Sequence, residues 1–410
     1  MRRYAASAVE QALWSLTNLG VSLLLARVAA PEVFGAFVFW ASCAFVLSSV
    51  QNAVSVCHLQ VLAPGPGQAP HRRDTERLMH LATAALLVLT ALGALAAVAL
   101  LPATSALRSP AAAFYLPAFL LQQYVRALTF SRGHPLAAAL QTGLVLVAAV
   151  LCGLVLWASG ASPDLDAFLW LLGAAYGIVG LGGALVLCRG QLRGELPPLS
   201  AYAGYARRTG WVLLGVSAAE LLTRFYAFVV AARFGAETLA GLAAAQLLLR
   251  PVPLMGLAWG MVGRADLAAR RDAADWSGFR RLILIAMVGG LTIAAVWTAV
   301  VAGAWPVLAQ AAFGGRYMDL GGVALLWGVS SALSLAQSVL NPALQALKAF
   351  RPLALANAAA AAIAATAVLG LSHALGPTGA IWGMAAGQVV DLAAMGAVLA
   401  SALAARRRAA

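Results

Sequence analysis

The sequence predicts an all-α membrane protein with twelve transmembrane helices in two six-helix lobes. Of its 410 residues, 62% are hydrophobic and only 10% are charged. A water-soluble protein of this size could not cover its surface with so few polar side chains. Apolar stretches near the ~20 residues that cross a bilayer as a helix recur along the whole chain. The alternating segments of about ten residues that build a membrane β-barrel are absent from the sequence.

Twelve predicted spans follow from the apolar stretches. Their approximate limits are 5–28, 33–62, 78–102, 110–130, 136–159, 165–188, 210–232, 239–263, 281–304, 320–346, 353–374 and 378–404. The longest connection, 189–209, lies at mid-chain and is interpreted as a cytoplasmic linker. We therefore expect an N-terminal lobe over 1–188 and a C-terminal lobe over 210–410. The first span is expected to be retained, because no small-residue cleavage site follows a short apolar core.

The basic residues predict the orientation of the spans. With the N-terminus inside, 20 of the 27 Lys and Arg residues fall on the inner side and four on the outer side. The excess of Lys and Arg marks cytoplasmic loops, so both termini are expected in the cytoplasm. This distribution accounts for the net charge of +13 without a nucleic-acid partner. The four cysteines and five histidines lack metal-ligand spacing, so neither a metal nor a cofactor is expected.

One part of the first half recurs in the second half. When the chain is shifted by about two hundred residues, Arg27 aligns with Arg233, and one gap brings Glu32 onto Glu237. Each half has an even number of spans, so both halves enter the membrane from the same side and the repeat is parallel. These four residues are expected at outer span ends, where they have a structural role in short turns.

Three stretches carry a family resemblance. The stretch SLTNLGVSLLLARVAAPEVFGAF, residues 15–37, resembles the first-span signature of the polysaccharide and O-antigen flippases. These belong to the multidrug/oligosaccharidyl-lipid/polysaccharide exporter superfamily. The stretch AARFGAETLAGLAAAQ, residues 231–246, resembles the matching element of the second half. Residues 351–383 resemble the eleventh span and its turn into the twelfth.

The resemblance implies a MATE-like architecture and a function. A chain of this family is expected in the bacterial inner membrane and is not an enzyme. It moves an undecaprenyl-pyrophosphate-linked oligosaccharide to the periplasmic leaflet by alternating access, in polysaccharide biosynthesis and export. The implied partners are this substrate, membrane lipids, H⁺ or Na⁺ as a coupling ion, and the polysaccharide polymerase and glycosyltransferases of the same pathway.

Charged residues inside spans are the main candidates for a binding site, because burying them in a bilayer is costly. Arg224 and Arg250 are expected to contact the pyrophosphate, since a guanidinium matches phosphate oxygens bidentately. Arg126 is a third candidate, although it lies near enough to the inner membrane surface to snorkel. Glu220 and Asp391 are expected as charge partners or ion-coupling groups. The alternative is that Glu220 only neutralises Arg224, and Asp391 only neutralises Arg250.

Uncharged polar side chains within spans are candidates for contacts with sugar hydroxyls. Interhelical hydrogen bonding is the alternative role for each of them. The candidates are Asn18, Gln51, Asn52, Gln246, Gln337 and Asn341. Pro251 and Pro253 are expected to interrupt the helix just after Arg250.

Two other functions stay open at this point. A multidrug or metabolite antiporter would share the same architecture. A membrane glycosyltransferase or polysaccharide polymerase would need catalytic acids near an outer loop, and Asp164 with Asp166 suggests such a pair. Aspartate at a helix start is the other explanation for this pair.

Overall fold

The computed structural model describes residues 2–60, 69–158, 164–189 and 198–409. Across these ranges the chain forms helices and short turns, with no strand. The helices are α1 (Arg2–Val28), α2 (Pro31–Gln51), α3 (Cys57–Gln60), α4 (Ala69–Leu100), α5 (Ala112–Ser131), α6 (Pro135–Ala158), α7 (Leu165–Leu187), α8 (Ala203–Leu247), α9 (Pro251–Asp272), α10 (Trp276–Gly303), α11 (Trp305–Phe313), α12 (Gly321–Ala346), α13 (Phe350–Leu375) and α14 (Pro377–Ala409). A π-helical turn, Asn52–Val56, continues α2 into α3, and a 3₁₀ turn, Leu199–Tyr202, precedes α8.

Nine helical segments of the described residues are long and apolar enough to cross a membrane. Helices suit this setting because all their backbone hydrogen bonds are made within the segment, and hydrocarbon supplies no partners. The predicted fold class, an all-α membrane protein, is therefore confirmed. The number of twelve spans stays a prediction.

Two breaks interrupt the long helical run from α8 to α9. Gly235 has φ 84° and ψ 172° inside α8, a conformation that glycine adopts without a steric cost. The second break is the turn at 248–250, and Pro251 begins α9 as its first residue. Proline suits that position because an N–H group at the start of a helix would have no intrahelical acceptor. The helix is thus interrupted at 248–250, so the break includes Arg250 and lies directly before Pro251, rather than after Arg250 as predicted.

The chain divides into two compact units, Met1–Ser217 and Ala218–Ala410. The predicted linker, 189–209, lies partly outside the described residues. The arrangement as two six-helix lobes remains a prediction, and each unit is described separately below.

In the first unit, α7 packs tightly against α5 through glycines. A Cβ atom added at Gly173 would lie 2.8 Å from the Phe114 ring. One added at Gly180 would lie 3.0 Å from the backbone nitrogen of Gln122. Small residues of this kind let helix backbones approach closely in membranes, where packing rather than the hydrophobic effect holds helices together.

Arginines on the predicted inner side close the ends of neighbouring helices in both units. Arg72 donates to the last carbonyl of α5 at 3.0 Å, and Arg132 donates to that of α7 at 2.8 Å. Arg271 donates to the last carbonyl of α12. Glu76 accepts from Arg72 at 2.9 Å and from Arg132 at 2.7 Å. Cations at these ends satisfy carbonyls that lack an intrahelical donor and complement the negative end of the helix dipole.

In the second unit, α13 and α14 form a close pair. Gly379, Gly383 and Gly387 lie one turn apart on α14 and face α13. A Cβ atom added at any of the three would collide with α13: at the Leu371 backbone, the Val368 backbone and Ala364 respectively. The close approach of these two helices therefore requires glycine, which has no Cβ atom, at all three positions.

We expect Gly383→Ala to destabilise the protein by about 1–3 kcal/mol, the usual cost of overpacking. The new methyl group meets backbone atoms of Val368, which cannot move without separating the two helices. The measurement is thermal unfolding of the detergent-purified protein. Gly396→Ala on the same helix is the matched control, because no atom lies within 4 Å of the added Cβ. Equal melting temperatures for the two variants would contradict this packing.

Candidate functional site

Four of the predicted site residues come together in the second unit. Helix α8 supplies Glu220 and Arg224, whose Oε2 and Nε atoms are 2.8 Å apart. The turn after α8 supplies Arg250, which lies within electrostatic range of Arg224 and Tyr226. The Tyr226 hydroxyl donates to Gln246 Oε1 at 3.1 Å. We call these five residues the arginine cluster.

Local helix geometry explains most of this arrangement. Glu220 and Arg224 are four residues apart, so they lie on one face of α8. Tyr226 is buried, and its ring packs edge-on against Trp327 with the ring centroids 5.0 Å apart. The turn at 248–250 follows from Pro251, which ends the backbone ladder of the preceding helix. The break in the helix thus places Arg250 beside α8.

The arginine cluster has more positive than negative charge. Glu220 provides one carboxylate for two guanidinium groups. Among the residues that the structure describes, no carboxylate oxygen lies within 4 Å of Arg250, which is half-buried. An arginine in apolar surroundings is costly unless an anion or a polar cavity compensates it. The cluster is therefore suited to binding an anion.

Asp391 belongs to a different set of residues. It lies on α14 with 2% of its surface exposed. Gln337 Nε2 on α12 donates to Asp391 Oδ2 at 2.6 Å. With its amide turned so that nitrogen faces the carboxylate, Asn357 on α13 donates to Oδ1 at 2.9 Å. The described residues contain no ion pair between Asp391 and Arg250, so the expected alternative pairing is wrong, and neutral amides hold this acid. Sequence reasoning missed Asn357.

Arg126 lies in the first unit and is already paired. Its Nε and Nη2 atoms are 2.5 and 2.8 Å from the two carboxylate oxygens of Glu10. Glu10 is 1% exposed and also accepts from Thr142 at 2.8 Å. The Arg126 guanidinium carbon lies 5.1 Å from the centre of the Trp14 ring, a cation–π contact. Glu10 on α1 thus holds the charged end of Arg126, and its snorkelling to the membrane surface stays a prediction. Sequence reasoning missed Glu10, although an acid inside a predicted span was the available signal.

The remaining sugar-contact candidates mostly use their polar groups within the protein. Asn18 donates to a carbonyl one turn earlier on α1 at 2.8 Å. Gln51 is buried and donates to a carbonyl of α5 at 3.0 Å. Asn341 accepts from Gln345 at 2.6 Å. Asn52 begins the π-helical turn and is half-buried. The described contacts of Asn18 and Asn341 lie within one helix, and that of Gln51 joins α2 to α5.

Arg233, one of the residues predicted at the outer turns, contacts α13. Arg233 donates to a carbonyl of α13 at 2.9 Å and to Ser372 Oγ at 3.0 Å. It lies two residues before the break at Gly235, so its contacts support the chain where the helix bends. Arg27, Glu32 and Glu237 are exposed.

The acids that a transferase would need have structural contacts. Asp164 caps α7, and its Oδ1 accepts from the backbone N–H of Ala167 at 2.6 Å. Asp166 accepts from the Ser109 hydroxyl. Groups of three or more His, Cys, Asp or Glu side chains that could hold a metal ion do not occur among the described residues. Asp164 therefore has the role of a residue that begins a helix, which was the alternative explanation for this pair.

Known structures share this fold. No family profile matches the chain, and no curated protein matches it in sequence. An inward-facing multidrug resistance MATE family transporter of the MOP superfamily has a TM-score of 0.74 at 12% identity, covering 98% of this chain and 100% of its own. The lipid II flippase MurJ, in an inward closed conformation, has a TM-score of 0.71 at 11% identity over 95% of this chain and 86% of its own. The eukaryotic MATE transporter AtDTX14 has a TM-score of 0.64 at 16% identity over 99% of each chain. The predicted MATE-like architecture is confirmed over nearly the whole chain.

We expect Glu10→Gln to destabilise the first unit by about 3 kcal/mol, because Arg126 then loses its carboxylate partner in apolar surroundings. Thermal unfolding in detergent measures this loss. Glu32→Gln, at an exposed carboxylate, is the control and should leave the melting temperature unchanged. The double variant Glu10→Gln with Arg126→Gln should recover part of the loss, since the two effects are coupled. An unchanged melting temperature for Glu10→Gln alone would rule out a stabilising ion pair.

Proposed function

We propose that this chain is a flippase for a lipid-linked oligosaccharide. It moves an undecaprenyl-pyrophosphate-linked glycan from the cytoplasmic to the periplasmic leaflet of the bacterial inner membrane, in polysaccharide biosynthesis and export. One observation carries the proposal: the arginine cluster holds two guanidinium groups and one carboxylate, and Arg250 is half-buried without a carboxylate within 4 Å among the described residues.

The chemistry of the cluster fits a pyrophosphate. A pyrophosphate presents several anionic oxygens, and a guanidinium binds two of them in a planar fork while keeping its charge in a poor solvent. Arg250 supplies the uncompensated charge. Glu220 holds Arg224 until the substrate arrives and shares it afterwards. The Tyr226 hydroxyl and the Gln246 amide, already joined at 3.1 Å, supply neutral hydrogen bonds for a phosphate or a sugar.

The fold and the charge distribution support the rest of the proposal. The fold is shared with a solved lipid II flippase, and the two predicted lobes would alternate access across the membrane. The concentration of basic residues on one side of the predicted spans supports a cytoplasmic position for both termini. Asp391, held by Gln337 and Asn357, is the candidate for coupling to H⁺ or Na⁺. The polymerase and glycosyltransferases of the pathway are the proposed protein partners.

A multidrug antiporter is the second candidate function. Asp391 is a buried carboxylate whose described partners are neutral amides. Such a group can exchange a proton for an organic cation. A solved structure with the same fold is a multidrug resistance transporter. The charge of the bound ligand separates the two functions, because the arginine cluster favours an anion and Asp391 favours a cation.

We expect Arg250→Ala to weaken binding of undecaprenyl pyrophosphate by about 10- to 100-fold, since it removes charge-assisted hydrogen bonds worth about 1.5–3 kcal/mol. The measurement is a titration of the detergent-purified protein with undecaprenyl pyrophosphate and, separately, undecaprenyl phosphate. Arg250→Lys should retain the positive charge but lose the planar, two-pronged hydrogen bonding of the guanidinium. Its affinity should therefore lie between those of the unchanged protein and Arg250→Ala.

Arg264→Ala is the matched control, because Arg264 is an exposed arginine on α9. It should bind as the unchanged protein does. Equal affinity of Arg250→Ala and Arg264→Ala for undecaprenyl pyrophosphate would exclude the cluster as the head-group site. Binding of a lipophilic cation that Asp391→Asn abolishes, with no binding of either polyprenyl lipid, would establish the antiporter instead.

A further inference from the structure

An apolar groove in the first unit has no part in the proposed function. Its volume is about 750 Å³, and it lies between α4, α5 and α7. Leucines from all three helices line it, together with small residues that leave room between the helices. We call it the side groove; the lining residues used below are His80, Leu87, Ala184 and Arg189.

One end of the side groove carries an arginine, and the rest of its lining is mostly apolar, with three polar side chains from α4 and α5. The start of α4 and the ends of α5 and α7 are joined by the hydrogen bonds of Arg72 and Arg132. Arg189 lines the groove at this end and is exposed. His80 lies on α4 seven residues before Leu87, which is about 10 Å along a helix. The groove therefore runs about 10 Å from a cationic mouth into an apolar interior.

These dimensions fit a lipid chain of one leaflet. Half of the hydrocarbon core of a bilayer is about 15 Å thick, so the groove reaches most of the way through one leaflet. Basic pockets between transmembrane helices at the cytoplasmic side bind anionic head groups. An undecaprenyl chain is several times longer than the groove and would leave most of its length outside.

We propose that the side groove binds one acyl chain of an anionic phospholipid, with the lipid phosphate on Arg189. Phosphatidylglycerol represents this class of ligand. The site lies in the first unit, whereas the proposed pyrophosphate site lies in the second. The bound phospholipid is a resident of the protein and not its cargo.

Native mass spectrometry of the full chain tests this site. The protein is titrated with dioleoyl-phosphatidylglycerol or with dioleoyl-phosphatidylcholine, which has the same chains and no net charge. We expect one molecule of phosphatidylglycerol to bind per protein, about fivefold more tightly than phosphatidylcholine. This preference is the contribution of one arginine near a membrane surface. Arg189→Gln should remove this preference. Ala184→Trp should fill the groove and remove the bound lipid.

Matched variants keep the outcome interpretable. Ile178→Trp adds the same side chain to α7 at a position that is 72% exposed and outside the groove, so it should retain the lipid. Arg250→Ala should retain it as well, which separates this site from the proposed flippase site. Equal binding of the two phospholipids, or an unchanged lipid count in Ala184→Trp, would overturn the proposal. Displacement of the phospholipid by undecaprenyl phosphate at equal concentration would also overturn it and assign the groove to the substrate tail.

Discussion

The compensation of charge in an apolar medium is the constraint on which the functional argument depends. A charged group buried without a partner costs several kcal/mol, and the chain resolves this cost in different ways. Glu10 is matched by Arg126, and Asp391 is matched by amides. Glu220 is matched by Arg224. Arg250 differs from these groups, because no carboxylate of the described residues lies within 4 Å of it. An uncompensated charge does not favour folding, so its presence points to a role in binding.

The sequence predicted features that depend on neighbours along the chain. Helical class follows from apolar stretches, and the pairing of Glu220 with Arg224 follows from a four-residue spacing on one helix. The break at Arg250 follows from the proline after it. The partners of Arg126 and Asp391 could not be predicted in this way. Glu10 and Arg126 are 116 residues apart, and the packing of α1 against α6, which also contacts α5, brings them together.

The shared fold restricts the function less than the charges do. A multidrug transporter and a lipid II flippase both superpose on this chain at 11–12% identity. A fold common to such different cargoes provides helices and breaks at set places, and the side chains there select what is bound. In this chain the break between α8 and α9 carries an arginine. This arginine, rather than the architecture, is the reason for proposing an anionic ligand.

The arginines that close α5, α7 and α12 connect membrane insertion to tertiary packing. In the predicted orientation, the arginines that bias a segment toward the cytoplasm during insertion also satisfy terminal carbonyls of adjacent helices. A segment inserted in the inverted orientation would carry its arginine to the opposite membrane surface. The terminal carbonyls of the neighbouring helix would then lack their hydrogen-bond donor. In the predicted orientation, misinsertion would therefore cost hydrogen bonds between helices as well as a favourable position for the charge.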